Sequence, residues 1–247
     1  MSEFAGLTVI VTGGASGIGA ATAAAFRGRG ANVAILDREV ATVEAGLFSV
    51  SCDVTNTQEV EEAVVAVVAK FGGVDILINN AGIGAAGDIS ANDDAEWHHV
   101  FDVNVIGMVR VTRVVLPYLR LSKHGAIVNV SSVVATVGVP NRALYSASKG
   151  AVAALTRAMA ADHVGENIRV NAVTPGTADT PWVARLLNAS EDPVSADKAL
   201  KARQPMGRLV SSAEIAYAIV YLASPSAAST TGTCLSVDGG MDSIQVR

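Results

Sequence analysis

The sequence predicts an α/β fold that is built on one doubly wound parallel sheet. Short β-branched runs alternate with longer helical patterns along the 247 residues, and this alternation implies right-handed crossovers between parallel strands. Some strand runs are apolar throughout, such as Val9-Ile10-Val11 and Ile76-Leu77-Ile78. Strands that are buried on both faces lose the polar half of their alternation. We therefore expect a sheet of about seven strands with helices on both faces.

The predicted elements follow one another without a linker or an internal repeat, so residues 1–247 are predicted to form a single domain. The strand candidates are Thr8–Val11, Asn32–Leu36, Phe48–Cys52, Ile76–Asn79, Ala126–Val130, Arg169–Val173 and Thr233–Val237. Helical patterns lie at Ile18–Arg29, Thr57–Phe71, Glu96–Leu121, Tyr145–Val164 and Ala213–Leu222. Residues 177–208 break this rhythm with a polar stretch that contains proline, which predicts a substrate lid.

Composition and charge exclude several classes of protein. A nucleic-acid-binding face needs clustered basic charge, whereas the formal net charge is −5. Cys52 and Cys234 show no metal-ligand spacing, so we expect neither a metal site nor a disulfide. The longest apolar stretch, Val100–Leu121, carries Asp102 and three arginines, which a membrane span would rarely tolerate. We expect a cytoplasmic protein, because the start of the sequence also shows no secretion signal.

A glycine-rich segment lies where the first strand passes into the first helix. It reads Thr12-Gly13-Gly14-Ala15-Ser16-Gly17-Ile18-Gly19. Glycines allow the tight turn and a close approach of the main chain to a diphosphate, and the helix N-terminus offers free N–H groups. The alternative is a glycine-rich turn without a ligand. The residues predicted to bind a dinucleotide here are Gly13, Ser16, Gly17, Ile18 and Gly19.

Asp37 indicates which dinucleotide is bound. It ends the second strand, 18 residues after Gly19, where a carboxylate accepts hydrogen bonds from both ribose hydroxyls of the adenosine. The same carboxylate would repel a 2′-phosphate, so we expect NAD rather than NADP. Arg38 leaves an alternative open, because it can stack on adenine or contact a phosphate, although we expect it to point to solvent. Asp53 and Val54 are predicted to hold the adenine edge, and the alternative for Asp53 is a helix cap.

Tyr145 and Lys149 form a candidate acid–base pair. The i,i+4 spacing places both side chains on one face of a helix. A nearby ammonium group lowers the pKa of a phenol, because it stabilises the phenolate. Tyr145 is therefore a candidate general base near neutral pH.

Further motifs complete a resemblance to a known family. In order along the chain they are Asn79-Asn80-Ala81-Gly82, Asn104, Ser131-Ser132 and Pro175-Gly176. Together with the glycine-rich segment, Asp53 and the Tyr145–Lys149 pair, they make the sequence resemble the classical short-chain dehydrogenase/reductase family over essentially its whole length. The resemblance implies a Rossmann fold, a dehydrogenase and a homotetramer.

The resemblance also implies roles for individual residues. Tyr145 would move the proton, Ser132 would hydrogen-bond the substrate oxygen, and Lys149 would hold the nicotinamide ribose and lower the pKa of Tyr145. Asn104 would order a water molecule of the proton relay. The further residues implied in cofactor binding are Asn79, Ala81, Gly82, Pro175, Gly176, Ala178 and Thr180, although Asn80 and Ala81 alternatively only shape their turn.

The substrate is predicted to be an anionic small molecule. Residues 141–145, 175–181 and 202–208 resemble a narrower group of cytosolic type 2 3-hydroxybutyrate dehydrogenases and 2-keto-3-deoxy-L-fuconate dehydrogenases, whose substrates share a carboxylate. In that group, arginines at the positions of Arg142, Arg185 and Arg203 are associated with carboxylate binding, and a planar guanidinium suits that task. Alternatively, Arg185 and Arg203 are solvated charges on the lid. Trp182 is expected either to line the substrate pocket or to pack within the lid.

Several alternative functions stay open. A 3-oxoacyl-carrier-protein reductase is disfavoured by Asp37 and by the acidic net charge, since an acidic carrier needs a basic docking face. A dehydrogenase of neutral sugars or polyols is a second alternative. A non-catalytic NAD-binding sensor is a third, and the complete set of Asn104, Ser132, Tyr145 and Lys149 argues against it.

Overall fold

A computed structural model describes residues 2–44, 46–188, 190 and 192–245. The strands are β1 (Thr8–Thr12), β2 (Asn32–Asp37), β3 (Phe48–Ser51), β4 (Ile76–Asn79), β5 (Ala126–Val130), β6 (Arg169–Pro175), β7 (Ala178–Asp179), β8 (Val210–Ser211) and β9 (Cys234–Val237). The helices are α1 (Gly17–Arg27), α2 (Thr57–Phe71), α3 (Asp94–Phe101), α4 (Met108–Leu119), α5 (Ala143–His163), α6 (Pro181–Asn188), α7 (Pro193–Ala202) and α8 (Ser212–Ala223).

Seven strands form one parallel sheet in the order β3-β2-β1-β4-β5-β6-β9. The predicted doubly wound Rossmann sheet is therefore confirmed. The chain runs outward from β1 in one direction as far as β3 and then returns to begin the other half with β4. In such sheets the crevice between the two halves, at the carboxyl ends of the strands, is the usual ligand site.

The core lies on both faces of the sheet, which explains the uninterrupted apolar strands. Val9 and Val11 point to the face that α1 and α8 cover, where Phe26 and Ile215 are buried with them. Ile10, between them, points to the opposite face and packs in the cluster that α2 and α4 complete. Since neighbouring residues of a strand face opposite sides, burial of all three requires helices on both.

The long helix predicted at Glu96–Leu121 is in fact two α-helices joined by a π-helical segment, Asp102–Gly107. Gly107 permits close packing there, because a Cβ at this position would lie 2.8 Å from Val54 Cγ2. A π turn widens the helix by one residue and is common at functional sites. Hydrophobic periodicity follows the apolar face across such a turn and does not reveal it.

The predicted lid contains regular structure. It consists of β7, α6 and α7 and leads to β8, which pairs in parallel with β7. Two-residue strands are too short for a periodic pattern, so the sequence did not predict them. Within the lid, Ala189 and Glu191 lie outside the described residues. None of the helices in the described ranges is both long and apolar enough to cross a membrane.

The turn between β1 and α1 leads to a test of stability. A Cβ on Gly19 would lie 2.6 Å from Asn80 Nδ2 and would also meet the Gly13 carbonyl oxygen. We expect Gly19→Ala to lower the free energy of unfolding by about 1–3 kcal/mol, because the backbone of the turn must shift. The matched control is Gly73→Ala, since a Cβ there meets no atom within 4 Å. Urea denaturation measures both, and equal midpoints for the two variants would contradict the close packing at Gly19.

Candidate active site

A cavity of about 800 Å³ lies at the carboxyl edge of the sheet and brings most of the predicted site residues together. Those that line it are Gly13, Ser16, Gly17, Ile18, Asp37, Asp53, Val54, Ala81, Gly82, Ser132, Arg142, Tyr145, Lys149, Pro175, Gly176, Ala178, Thr180, Arg185 and Arg203. Gly19, Asn79 and Asn104 are not part of this lining. The cavity therefore joins the predicted cofactor-binding end to the predicted acid–base pair.

The glycine-rich turn offers a site for an anion. Gly13 and Gly17 have positive φ angles of 63° and 54°, which glycine adopts without strain. Ser16 precedes α1 but makes no capping side-chain hydrogen bond within the described structure, and the first turn of α1 contains no acidic residue. The N–H groups at this helix start are thus available to phosphate oxygens, and the helix dipole favours negative charge there. The turn fits the diphosphate of a dinucleotide.

Two polar side chains fix this turn against the neighbouring strand end. The Thr12 hydroxyl accepts hydrogen bonds from the N–H groups of Asn80 (3.0 Å) and Ala81 (3.1 Å). The Asn80 amide donates to the carbonyls of Thr12 and Gly13, both at 2.9 Å. Asn80 and Ala81 therefore both take part in the turn and both line the cavity.

At the far end of the cavity, Asp37 links the glycine-rich turn to β2. One carboxylate oxygen of Asp37 accepts from the Ala15 N–H at 3.0 Å, and the other accepts from the Glu39 N–H at 3.1 Å. Each carboxylate oxygen has a second lone pair, so both can still accept from a ribose hydroxyl. Gly19 lies behind the turn and contributes by its lack of a side chain rather than as lining.

Asp53 and Arg38 form a loose ion pair beside Asp37. Their closest N···O distance is 3.8 Å, and the Arg38 side chain is largely exposed although it lines the cavity. Burial works to raise the pKa of Asp53, but hydrogen bonds from Thr55 and the charge of Arg38 outweigh it and lower the pKa. Asn56 accepts from the first N–H groups of α2. The N-cap is thus Asn56, and Asp53 lies three residues before it in the cap region, where its N–H donates to Glu59 of the first turn at 2.8 Å.

At the chemical end, α5 carries Tyr145 and Lys149 on one face, as the spacing predicts. Lys149 is 5% exposed, and its Nζ donates to the carbonyl of Val130 at 2.9 Å. The same Nζ lies 5.8 Å from the centre of the Tyr145 ring. Burial lowers the pKa of Lys149 to about 8, because the charged form loses its hydration.

The pKa of Tyr145 is raised in the protein without a bound cofactor. The resemblance implies that Lys149 lowers it, but burial raises the pKa of Tyr145 above its usual value in the protein alone. Hydrogen bonding to Ser132 and the charge of Arg142 act in the opposite direction without overcoming burial. Lys149 is not among the groups that shift this pKa, and its Nζ points to the Val130 carbonyl.

The side chains of Asn104 and Asn79 lie outside the cavity lining, and both are hydrogen-bonded within the fold. Both ends of the Asn104 amide are bound, because Oδ1 accepts from the Ile83 N–H at 2.8 Å and Nδ2 donates to the Ile83 carbonyl at 2.9 Å. Asn79 donates to the side chains of Thr112 and Asn129, at 3.1 and 2.9 Å. The prediction that Asn79 lines the cofactor trough is therefore wrong: its side chain points into the core between β4, β5 and α4.

Gly82 marks a narrow space shared by Asn104 and Lys149. A Cβ on Gly82 would lie 3.1 Å from Asn104 Oδ1 and 3.3 Å from Lys149 Nζ. The amide oxygen and the ammonium group thus border the same gap beside the cavity, although the Asn104 side chain is not part of its lining. Any side chain at position 82 would fill that gap.

Three arginines border the cavity on its lid side. Arg142 is half-buried and donates to the Ala85 carbonyl at 3.0 Å. Burial lowers the pKa of Arg142, and the nearby charge of Arg203 lowers it further. Arg185 lies on α6, and Arg203 directly follows α7. Within the described ranges, no carboxylate forms an ion pair with any of the three.

The sequence is similar to those of known proteins over nearly its whole length. A family model described as enoyl-(acyl carrier protein) reductase matches residues 13–242. The 3-oxoacyl-[acyl-carrier-protein] reductase of Thermotoga maritima is 36% identical over 246 residues, covering 96% of this chain and 98% of the relative. The cis-4-hydroxycyclohexanecarboxylate dehydrogenase of Sinomonas cyclohexanicum is 41% identical over 251 residues, covering 98% of each. The chain belongs to the short-chain dehydrogenase/reductase family.

A solved structure extends the likeness to three dimensions. The ligand-free aldohexose dehydrogenase of Thermoplasma acidophilum has a TM-score of 0.93 and 35% identity, covering 100% of this chain and 99% of that one. As a short-chain dehydrogenase/reductase, the protein is an oxidoreductase of alcohols and ketones that uses a nicotinamide cofactor.

Sequence reasoning missed part of the wall of this short-chain dehydrogenase/reductase site. Val134, Val139, Leu200 and Met241 also line the cavity, and their apolar character is equally typical of core residues, so the sequence carries no distinct signal for them. Trp182, for which two roles were open, lines the cavity as well, and its indole lies over Gly84: a Cβ there would be 2.5 Å from Trp182 Cζ2. The lid therefore contacts the loop after β4 through Trp182.

The ionisation of Tyr145 can be measured directly. We expect the difference between the ultraviolet titrations of wild type and Tyr145→Phe to show this phenol ionising only above pH 10, the ordinary value, because burial raises its pKa. Ser132→Ala should raise the pKa further, since it removes a hydrogen bond that favours the phenolate. Phenolate absorbance from Tyr145 at neutral pH, without cofactor, would contradict the raised pKa.

Proposed function

We propose that the protein is an NAD-dependent dehydrogenase that interconverts a secondary alcohol and a ketone on a carboxylate-bearing substrate. Candidate substrates are hydroxy acids such as 3-hydroxybutyrate and 2-keto-3-deoxy sugar acids. The observation that carries this proposal is that Arg142, Arg185 and Arg203 line the same cavity as Tyr145. Arginine binds both oxygens of a carboxylate through its planar fork. This type of substrate also fits the narrower group that the sequence resembles.

The contacts in the cavity support the proposed acid–base roles. Tyr145, as the phenolate, accepts the hydroxyl proton in oxidation and returns it in reduction, while Ser132, which favours that phenolate, donates to the substrate oxygen. Lys149 places a cation beside the Tyr145 ring and holds the nicotinamide ribose. Asn104 orders water in the gap that it shares with Lys149. A bound nicotinamide supplies the hydride acceptor or donor, which is the chemistry that these side chains lack.

NAD is the proposed cofactor because of the charge at the adenosine end. The turn from Gly13 to Ile18 would hold the diphosphate, and Asp37 would accept from the ribose hydroxyls. Ala81, Gly82 and the segment from Pro175 to Thr180 would line the nicotinamide end. Arg38 is the one cation beside Asp37 among the described lining residues, and Asp53 lies 3.8 Å from it. A 2′-phosphate would therefore meet the carboxylates of Asp37 and Asp53, with Glu39 also at the border of the cavity, and one partly neutralised cation.

The names of the relatives support an acid but leave room for other substrates. The Sinomonas cyclohexanicum relative is named for a hydroxycyclohexanecarboxylate, which is a hydroxy acid. The Thermotoga maritima relative is named for an acyl-carrier-protein substrate, and this second candidate is disfavoured by Asp37 and the net charge of −5. The aldohexose dehydrogenase is named for a neutral sugar, which gives an arginine no carboxylate to bind.

We also propose that the enzyme acts in the cytoplasm as a homotetramer. Both cysteines, Cys52 and Cys234, are free thiols, which suits a reducing compartment. Tyr217 and Tyr221 lie on α8 with more than half of each side chain exposed, at 58% and 53%. Exposed aromatic residues of this kind favour an interface between subunits.

The carboxylate can be tested with matched substrate pairs. We expect kcat/KM with NAD to be at least about tenfold higher for a hydroxy acid than for the same alcohol without the carboxylate. Arg203→Gln should lower kcat/KM for the acid about tenfold to a hundredfold, mainly through KM, and leave the neutral alcohol unchanged.

The matched control is Lys198→Gln, which removes an exposed positive charge from α7 without touching the cavity. It should leave kcat/KM for the acid unchanged. Equal activity of wild type on the acid and on the neutral alcohol would refute the arginine assignment but not the dehydrogenase. Binding of NAD without turnover of any alcohol would favour the non-catalytic sensor.

The cofactor preference depends on Asp37. We expect Asp37→Ser to raise kcat/KM with NADP about tenfold and to lower it with NAD, because the repulsion of the 2′-phosphate and the ribose hydrogen bonds are both lost. Glu39→Ser is the control, since it removes a neighbouring negative charge that also borders the cavity. A wild-type enzyme that prefers NADP would contradict the assignment.

A further inference from the structure

The second half of the cavity lining in sequence, from Val130 to Met241, combines two kinds of chemistry. Its apolar side chains come from separate parts of the chain: Val134 and Val139 follow β5, Trp182 and Leu200 lie on the lid helices, and Met241 follows β9. The same half holds the three arginines together with Ser132 and Tyr145. The wall therefore combines strong anion-binding groups with extended apolar surface.

Groups that bind neutral hydroxyls are scarce in this half. Among the described lining residues from Val130 to Met241, none is Asp, Glu, Asn or Gln. The Ser131 hydroxyl already donates to the Lys149 carbonyl at 2.8 Å, and the Thr180 hydroxyl already accepts from the Val183 N–H at 3.3 Å. Besides Ser132 and Tyr145, Thr177 is the further hydroxyl residue of this part of the lining. Each hydroxyl of a polyhydroxylated substrate needs both a donor and an acceptor, and leaving them unpaired on desolvation weakens binding.

Met241 is held firmly in the wall. The buried Asp238 accepts from the N–H groups of Gly240 and Asp242, both at 2.9 Å, so the turn that carries Met241 is closed by one carboxylate. Asp242 then accepts from the Thr136 hydroxyl at 2.7 Å, which joins this segment to the loop after β5. Met241 therefore lines the cavity from a turn that these hydrogen bonds brace.

We infer that the substrate is a hydroxy acid with an apolar carbon skeleton, aliphatic or alicyclic, and that Met241 is a specificity-determining residue for that skeleton. The arginines bind the carboxylate, the hydroxyls of Ser132 and Tyr145 contact the reacting oxygen, and the apolar wall covers the carbon atoms between them. A sugar acid would satisfy the arginines but would bury its remaining hydroxyls against this wall. The inference rests on the proposed function and narrows its substrate class.

Binding measurements separate this inference from the proposed function. The probes are cyclohexanecarboxylate, cyclohexanol and quinate, the tetrahydroxy analogue of the ring acid, each titrated by calorimetry into the full-length protein with saturating NADH. We expect the ring acid to bind at least about tenfold more tightly than quinate. Quinate binding as tightly as the ring acid, or no binding of the ring acid up to millimolar concentration, would overturn the apolar-skeleton inference.

Cyclohexanol tests the proposed function independently. If it binds as tightly as the ring acid, the carboxylate assignment fails while the preference for an apolar skeleton can still be read from the comparison with quinate. Met241→Gln has nearly the same shape but adds hydrogen-bonding groups, so it should weaken binding of the ring acid and narrow its advantage over quinate several-fold. Met241→Leu should keep the tighter binding of the ring acid over quinate. If both variants lose that preference to the same extent, Met241 is not a specificity-determining residue.

Discussion

The chemical end of the site depends on one buried cation. Lys149 Nζ donates to the carbonyl of Val130, the last residue of β5, and so ties α5 to the carboxyl edge of the sheet. Burial of an ammonium group is unfavourable, and the pKa of about 8 reflects that cost. The contact fixes where the helix face lies, and Tyr145, one turn earlier, is positioned with it. Ser131 strengthens the joint through its hydrogen bond to the Lys149 carbonyl.

This constraint also explains why the phenol needs help beyond the protein. The nearby lysine is itself desolvated, so it does not offset the burial of Tyr145, whose pKa stays raised. Ser132 and Arg142 act in the favourable direction. Arg142 thus has two roles, because its guanidinium borders the proposed carboxylate site and its charge favours the phenolate. A substrate carboxylate bound there would weaken that second effect.

The sequence predicted the features that depend on local pattern. The double burial of the strands, the glycines of the first turn and the spacing of Tyr145 and Lys149 all follow from a few adjacent residues. Features that depend on distant packing were not predictable in this way. The side chain of Asn79 turns toward Asn129 on the neighbouring strand, and the segment that carries Met241 is joined to the loop after β5 by the contact of Asp242 with Thr136.

The arginines lie between these two cases. That the three residues are arginines predicted an anionic substrate. Only the folded chain brings Arg142 close enough to Arg203 for the two charges to affect one another. Mutual repulsion of cations around one cavity is unfavourable without an anion between them. The cost is consistent with a site arranged for a negatively charged ligand.

The most direct test follows an atom from the substrate to the cofactor. The protein would be incubated with NAD and a hydroxycyclohexanecarboxylate that carries deuterium on its carbinol carbon, and the reduced cofactor analysed by mass spectrometry. We expect the deuterium to be recovered in the reduced cofactor, and we expect Tyr145→Phe to form almost none of it. Reduced cofactor without deuterium, or no reduced cofactor from any hydroxy acid, would contradict the proposed hydride transfer.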